Sequence, residues 1–334
     1  MKEKIFVTGG AGYVGARLVQ ELLNKNYFVT VYDIMYFGDH FLPKDNINFK
    51  IIKGDIRDKS LLKESSKNHD YFLHLACISN DTSFALDEKL STSVNLDAFK
   101  PMVKIAKENG VKRFIYASTS SVYGVSEEKN VTEDHPLVPL TLYNKFKGMC
   151  EPQLLEETDK NFYGVIFRPA TVCGFSPRLR LDLSVNILTN FAVNKKFIKV
   201  FGGDQLRPNL HIADYCHAVI KLITAENTKI ENQIFNVGYQ NLSIMQIAEK
   251  VKKVVEQEFD NAGNIKIVKE ESNDKRSYHI NSDKIKKILN FTPKHTIEDA
   301  IVELCNAFKQ NKVPNSFEDD FYFNVKRLQN IQAK

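Results

Sequence analysis

The chain of 334 residues has no tryptophan and only five cysteines, Cys77, Cys150, Cys173, Cys216 and Cys305. An odd, scattered set with no C-x-x-C pair argues against a disulfide framework and gives no zinc-ligand spacing, so reduced thiols and no metal site are expected. No apolar run is long enough to cross a bilayer, which argues against a membrane-spanning protein. Charge of one sign is also missing. Lys plus Arg total 46 against 41 Asp plus Glu, a net +5 with no basic block, and an evenly charged surface of this kind argues against a nucleic-acid partner. Neither an internal repeat nor a low-complexity linker is present. The chain reads from Met1 straight into a β-rich run with no leader-like segment, so a cytoplasmic location is expected.

The stretch Lys4 to Asp33 is where the chain is most informative. The run Ile5-Phe6-Val7-Thr8 is followed by Gly9-Gly10-Ala11-Gly12-Tyr13-Val14-Gly15. Val14, Leu18, Val19, Leu22 and Leu23 then recur at helical spacing, and Phe28 to Tyr32 forms a second strand that ends on Asp33. Gly9 can take the positive φ of a tight turn. Gly12 lets backbone amides approach a pyrophosphate, and Gly15 lets the helix lie close on the strand. The helix start offers unpaired N–H groups and a partial positive charge to phosphate. Asp33 falls about 20 residues past the turn, where a carboxylate accepts ribose hydroxyls and repels a 2′-phosphate; NAD is therefore expected over NADP.

Further strand-like runs fall at Phe49–Gly54, Tyr71–Ala76, Arg113–Ser118 and Gly164–Arg168. They alternate with helical segments, notably Leu86 to Asn109 and one starting near Leu142. Alternation of this kind implies a parallel sheet covered on both faces. The expected class is α/β, a Rossmann-type doubly wound parallel sheet with a smaller C-terminal substrate-binding lobe. Residues 1–170 are assigned to the dinucleotide-binding part. Residues 171–334 are assigned mainly to the small lobe, interleaved with the last strands of the sheet; the tail from Asn315 has no placement. Ligands in such sheets sit beyond the strands' carboxyl ends. Tyr32 and Phe37 read as packing. His211 and Asp214, three apart, read as an ordinary polar turn before a helix rather than as metal ligands.

Tyr143 and Lys147 form Y-x-x-x-K on a helix, and this spacing puts both on one face. An ammonium beside a phenol favours the phenolate, so the tyrosine is expected to titrate nearer neutrality and act as a base. The hydroxyl-rich run Ser118-Thr119-Ser120-Ser121 lies about one crossover earlier.

Together these pieces resemble the extended short-chain dehydrogenase/reductases of the nucleotide-sugar 4-epimerase and dehydratase family. The matching segments are TGGAGYVG, GDIRD, HLA, SVN, YASTSSVYG, YNKFK, RPATVCG, RPNLHIADY and DKRSYHINSDKIKKILNF. The resemblance implies a nucleotide-sugar substrate and NAD bound by Gly9, Gly12, Tyr13, Val14, Gly15 and Asp33, with Asp55 and Ile56 by the adenine, Ala76 in the cleft and Val172 by the carboxamide. It implies that Asn95 steadies the active-site helix, that Thr119 bonds the reacting oxygen, and that Tyr143 with Lys147 is the catalytic pair. Ser79, Ser120 and Asn186 are implied near the sugar, and Arg207 and Arg276 on the substrate diphosphate. Many relatives pair through two helices, so a homodimer is expected.

In the 4,6-dehydratases the catalytic Thr is followed by Asp-Glu. Here Ser120-Ser121 follow Thr119, and two hydroxyls do not supply the acid and base that elimination needs. The expected chemistry is therefore NAD-dependent oxidation at C4 of a nucleotide sugar, foremost as a 4-epimerase. The alternatives are a C4 dehydrogenase or reductase of surface-polysaccharide synthesis, which the segment SPRLRLDLSVN resembles, and a non-catalytic NAD sensor.

Overall fold

The structure, a computed structural model, describes residues 2–126, 128, 130–260, 263–271 and 277–334. The first half runs β1 (Lys4–Thr8), α1 (Tyr13–Asn24), β2 (Phe28–Asp33), β3 (Phe49–Lys53), α2 (Lys59–Ser65) and β4 (Tyr71–His74). It continues with α3 (Asp81–Phe84), α4 (Glu88–Thr92), a π turn (Ser93–Asp97), α5 (Phe99–Glu108), β5 (Arg113–Ala117), α6 (Leu142–Leu155) and β6 (Tyr163–Pro169). The second half runs β7 (Thr171–Cys173), α7 (Ser184–Lys195), β8 (Phe197–Phe201), β9 (Leu206–His211), α8 (Ile212–Thr224), α9 (Asn227–Ile230) and β10 (Ile234–Val237). It ends with β11 (Gln240–Ser243), α10 (Ile244–Glu258), β12 (Lys266–Glu270), α11 (Asp283–Leu289), α12 (Ile297–Lys309) and α13 (Asn324–Asn330).

Seven strands form one parallel sheet in the order β3-β2-β1-β4-β5-β6-β10. Successive side chains point to opposite faces, so each strand feeds two cores. Ile5 and Val7 pack on the side of α1 and α8, while Phe6 packs with Phe72, Phe99 and Phe114 on the other side. The strand order reverses between β1 and β4, and that crevice is where a ligand fits such a sheet. The small lobe packs α7, α10 and α12 around Val185, Ile198, Val251 and Ile301, with β8 and β12 paired along it. A three-stranded sheet, β11-β9-β7, joins the two parts.

The helical pattern from Leu86 to Asn109 is present but not uniform: a π turn separates α4 from α5. Pro101 falls in the first turn of α5, where its missing N–H costs least.

A buried ion pair fixes α6 to the sheet. Glu151 of α6 and Arg168 of β6 are 2% and 3% exposed. Arg168 donates Nη2 to Glu151 Oε2 at 2.6 Å and Nε to Oε1 at 3.0 Å. Ser118 Oγ, just past β5, donates to the same carboxylate at 2.6 Å. Arg168 Nη1 continues to the Tyr123 hydroxyl at 2.6 Å, which donates to Asn236 of β10.

Removing one partner of such a pair leaves the other charge buried alone. Glu151→Ala should cost roughly 3–5 kcal/mol, read as a drop in the urea midpoint. Buried His74, its ring bonded to the Thr8 hydroxyl at 2.8 Å, gives a second expectation. Burial first, and Lys147 second, hold its pKa well below the usual 6.5. The unfolded chain therefore takes a proton that the folded chain refuses. Stability should fall as pH drops from about 6.5 to 5.5, with a slope of up to about 1.4 kcal/mol per pH unit from this group, and His74→Asn should flatten the slope in urea titrations across that window.

Candidate active site

A cleft of about 370 Å³ opens at the carboxyl ends of β1, β2, β4, β5 and β6, with the segment after β7 on its far side. Its floor is the glycine turn. Gly9 has φ +77°, and a Cβ there would stand 2.5 Å from the Ala76 backbone nitrogen; a Cβ on Gly15 would stand 2.5 Å from the Gly9 carbonyl oxygen. The turn and the close helix–strand contact thus both require glycine. Gly12 caps α1 without a side-chain hydrogen bond, leaving first-turn N–H groups open toward the cleft. Tyr13 and Val14 line the same wall.

Asp33 ends β2 at the cleft. Its carboxylate accepts the Ala11 amide at 3.0 Å and the Met35 amide at 2.8 Å. Burial raises its pKa, against those two amides and the Arg178 guanidinium, which lower it. Asp55 and Ile56, after β3, line the cleft beyond it. The Arg57 guanidinium holds Asp55 below the ordinary carboxylate value although burial acts the other way. An uncapped helix start, a glycine cradle and a buried carboxylate with spare lone pairs suit a dinucleotide.

At the other end stand Thr119, Ser120, Tyr143 and Lys147, with Ala76, Ser79 and Val172 around them. Thr119 caps the short 3₁₀ turn Ser120–Tyr123: its Oγ1 accepts the Ser121 amide at 3.2 Å and lies 2.8 Å from the Ser121 hydroxyl. That hydroxyl donates to Asn144 of α6 at 2.6 Å, tying the hydroxyl run to the helix that carries Tyr143. Lys147 is buried, donates to the Ala117 carbonyl at 2.8 Å and lies over the Tyr116 ring.

The tyrosine corrects one expectation. Its phenol is held well above the usual value, first by burial and then by the nearby Cys77 thiol. The largest opposing effect comes from the Arg180 guanidinium; Lys147 is not among the main influences. Burial dominates here, and the nearest effective cation arrives from the second half of the chain.

Three other expected site residues lie off the cleft, and a fourth falls outside the described residues. Asn95 lies beneath it in the π turn, exchanging hydrogen bonds of 2.8 and 2.9 Å with the backbone of Ile78 while its carbonyl accepts Cys150 Sγ of α6. This arrangement fits a steadying role. Asn186 is fully buried in α7 and bonds protein groups: the Gly174 amide, the Arg180 carbonyl and the Tyr13 hydroxyl. It lies behind the wall because the cleft-facing segment 174–183 passes in front of it. Arg207, in β9, does not line the cleft and bonds the Leu206 carbonyl. Arg276 is the fourth.

Other residues at the cleft escaped the sequence. Phe37, read as packing, lines it with Arg178 stacked on its ring at 3.5 Å. Tyr32 is fully buried and also reaches the cleft wall. Arg178, Arg180 and Asn324 are there as well. The segment SPRLRLD reads only as part of the resemblance to surface-polysaccharide enzymes, with no site role for its arginines, and Asn324 belongs to a tail whose polar and aromatic pattern gave it no location. That tail closes one side: Arg327 donates to the Tyr36 carbonyl at 2.7 Å, and the Lys334 carbonyl accepts from Tyr36 and Arg57 at 2.8 and 2.9 Å.

His211 caps α8 by accepting the Ala213 amide, and Asp214 accepts the amides of Lys294 and His295. No group of three His, Cys, Asp or Glu is placed to hold a metal among the described residues, and no described helix is long and apolar enough to cross a membrane. The five cysteines are free thiols.

Comparison with known proteins finds relatives along nearly the whole chain. The chain is 26% identical over 314 residues to the low-salt glycan biosynthesis protein Agl12 of Haloferax volcanii, covering 90% of this chain and 96% of that one. It is 24% identical over 312 residues to the UDP-glucose 4-epimerase of Rhizobium meliloti, covering 88% and 93%. The fold is that of MoeE5, solved in complex with UDP-glucuronic acid and NAD, at TM-score 0.80 and 22% identity over 92% of this chain and 99% of that one. The model of the NAD dependent epimerase/dehydratase family matches residues 5–238, the span that carries the glycine turn, Thr119, Tyr143 and Lys147, and the chain belongs to that family.

Proposed function

We propose that the protein oxidises C4 of a nucleotide-activated sugar reversibly with NAD, and acts as a nucleotide-sugar 4-epimerase. The observation that carries this reading is the make-up of the reacting end. Thr119, Tyr143 and Lys147 share it, and the only carboxylates lining the cleft among the described residues are Asp33 and Asp55 at the opposite end. A site with the Tyr143 phenol beside Thr119 and Lys147, and with no carboxylate lining that end, moves one proton on and off one oxygen. It lacks the acid and base pair that eliminating water across a C–C bond needs. Ser120 and Ser121 stand where that pair would be, the first buried and the second bonded to Thr119 and Asn144.

In this reading Thr119 holds the C4 oxygen and Tyr143 takes its proton. Lys147, fixed by the Ala117 carbonyl, is placed to face the cofactor ribose. NAD, when bound, accepts the C4 hydride and returns it to either face of the ketone. Retention of the whole Thr–Tyr–Lys set supports an enzyme over a sensor, which needs only the glycine turn and Asp33. Arg178, buried beside Asp33 with its Nε unpartnered and its pKa pushed down to about 9 by burial, is suited to an anionic oxygen of the cofactor. Pairing into a dimer through α5 and α6 accompanies the proposal as the expected assembly.

Tyr143→Phe should lower kcat by roughly 10²–10⁴-fold while bound NAD persists, measured by turnover and by the nucleotide released on denaturation. A panel of UDP-, GDP-, CDP- and dTDP-sugars, followed at 340 nm and by NMR of C4, separates the two fates. Epimer without net NADH supports the proposal, and a released ketone replaces it with a dehydrogenase. Arg178→Ala should weaken NAD binding by about tenfold or more in calorimetry, the scale of one charge-assisted hydrogen bond.

A further inference from the structure

A second phenol reaches the same end of the cleft. Among the described residues Tyr215 is the one member of α8 that lines it, although the residue is only 4% exposed. It stands in the first turn of α8, and its ring packs edge-on against Phe167 of β6 with centroids 5.2 Å apart. The Cys77 thiol acts on both Tyr215 and Tyr143, and Tyr215 acts on Tyr143, so the three meet at the reacting end.

Four other buried phenols each have a protein acceptor. Tyr13 donates to the Gly174 carbonyl at 2.7 Å, Tyr32 to the Asp55 carbonyl at 2.8 Å, Tyr116 to the Lys147 carbonyl at 3.2 Å and Tyr123 to Asn236 Oδ1 at 2.7 Å. The Tyr215 hydroxyl bonds none of the described residues. A buried tyrosine hydroxyl calls for a partner, and the cleft is the side left open to it. The two phenols of this end also differ in kind. Burial first, then the Cys216 and Cys77 thiols, hold Tyr215 well above its ordinary value, with no cation acting against them. Tyr143 has the Arg180 guanidinium working the other way. Tyr215 therefore keeps its proton and serves as a neutral donor.

We propose that Tyr215 is a further cofactor-binding residue: its hydroxyl donates to the carboxamide oxygen of the nicotinamide. The side from which it comes selects the cofactor over the sugar. Helix α8 packs on α1, β5 and β7, and β7 lies beside β9, which leads into α8. Tyr215 thus rises behind the glycine turn and Val172, the wall that suits a dinucleotide, and not from α7, α10 or α12 of the small lobe. A neutral phenol matches a neutral amide oxygen, and a donor at that oxygen draws electron density from the ring that takes the hydride. The proposal goes beyond the C4-oxidation reading and needs only NAD in the cleft.

The test equilibrates the full chain with equal mixtures of NAD and an analogue and reads the ratio retained from the nucleotide released on denaturation. Thionicotinamide adenine dinucleotide carries sulfur in place of the carboxamide oxygen; the 3-acetylpyridine analogue keeps the oxygen and lacks the amide nitrogen. Wild type should retain NAD over the thio analogue. Tyr215→Phe, which removes only the hydroxyl, should lower that ratio by about fivefold, the scale of one neutral hydrogen bond, and leave the ratio against the acetylpyridine analogue within about twofold. Tyr215→Met should give the same pattern, and KM for any nucleotide sugar that turns over should stay unchanged. An unchanged thio ratio overturns the proposal, as does an equal fall in both ratios. A raised sugar KM with both ratios unchanged also overturns it, by assigning Tyr215 to the sugar. A wild-type thio ratio near one overturns it before any variant is made. The expected ratios in a protein that converts no nucleotide sugar would uphold this proposal and remove the C4-oxidation reading alone.

Discussion

The geometry of the reacting end depends on one buried contact, the carboxylate of Glu151 against the guanidinium of Arg168. Tyr143, Lys147 and Glu151 lie at successive turns of α6, so whatever fixes Glu151 fixes the other two. The same carboxylate takes the hydroxyl of Ser118, one residue before Thr119. Helix, strand end and hydroxyl run are thereby referred to one point below the cleft. An isolated ion pair at this depth would lose more solvation than it gains, but here each side-chain nitrogen and oxygen of the pair has at least one partner.

The cleft divides into two electrical halves. At one end Asp33 and Asp55 carry negative charge, and an open helix start and Arg178 carry positive charge, a composition suited to ribose and phosphate. At the other end no carboxylate lines the cleft, and hydroxyls, phenols, a thiol and two cations remain. Burial there makes the charges that face Tyr143 matter more than they would in water.

The large sheet and most of the residues that line the reacting end of the cleft were legible in the sequence because their signals are local. The glycine turn, the alternation of strand and helix, and the four-residue spacing of Tyr143 and Lys147 are all carried by neighbours in the chain. Short strands such as β7, β9 and β11 were not legible, since polar residues and, in β9, Pro208 interrupt any apolar run. The widened turn at Asn95 was hidden because the helical pattern of the sequence runs through it without a break. The hydrogen bonds that join Arg178, Asn324, Ser79 and Arg180 span positions up to 245 apart, and no local pattern reports such a meeting. The spacing of Tyr143 and Lys147 correctly indicated a shared face but misjudged which cation governs the phenol, because the cost of burial and the reach of Arg180 exist only in the folded chain.

The C-terminal segment touches both parts of the molecule: Asn324 meets Ser79 and Arg178, Arg327 meets the Tyr36 carbonyl, and the Lys334 carbonyl meets Tyr36 and Arg57. Loss of that segment would strip partners from Ser79, Arg178, Tyr36 and Arg57 at once, so order at both ends of the cleft is tied to a stretch far from either in the chain.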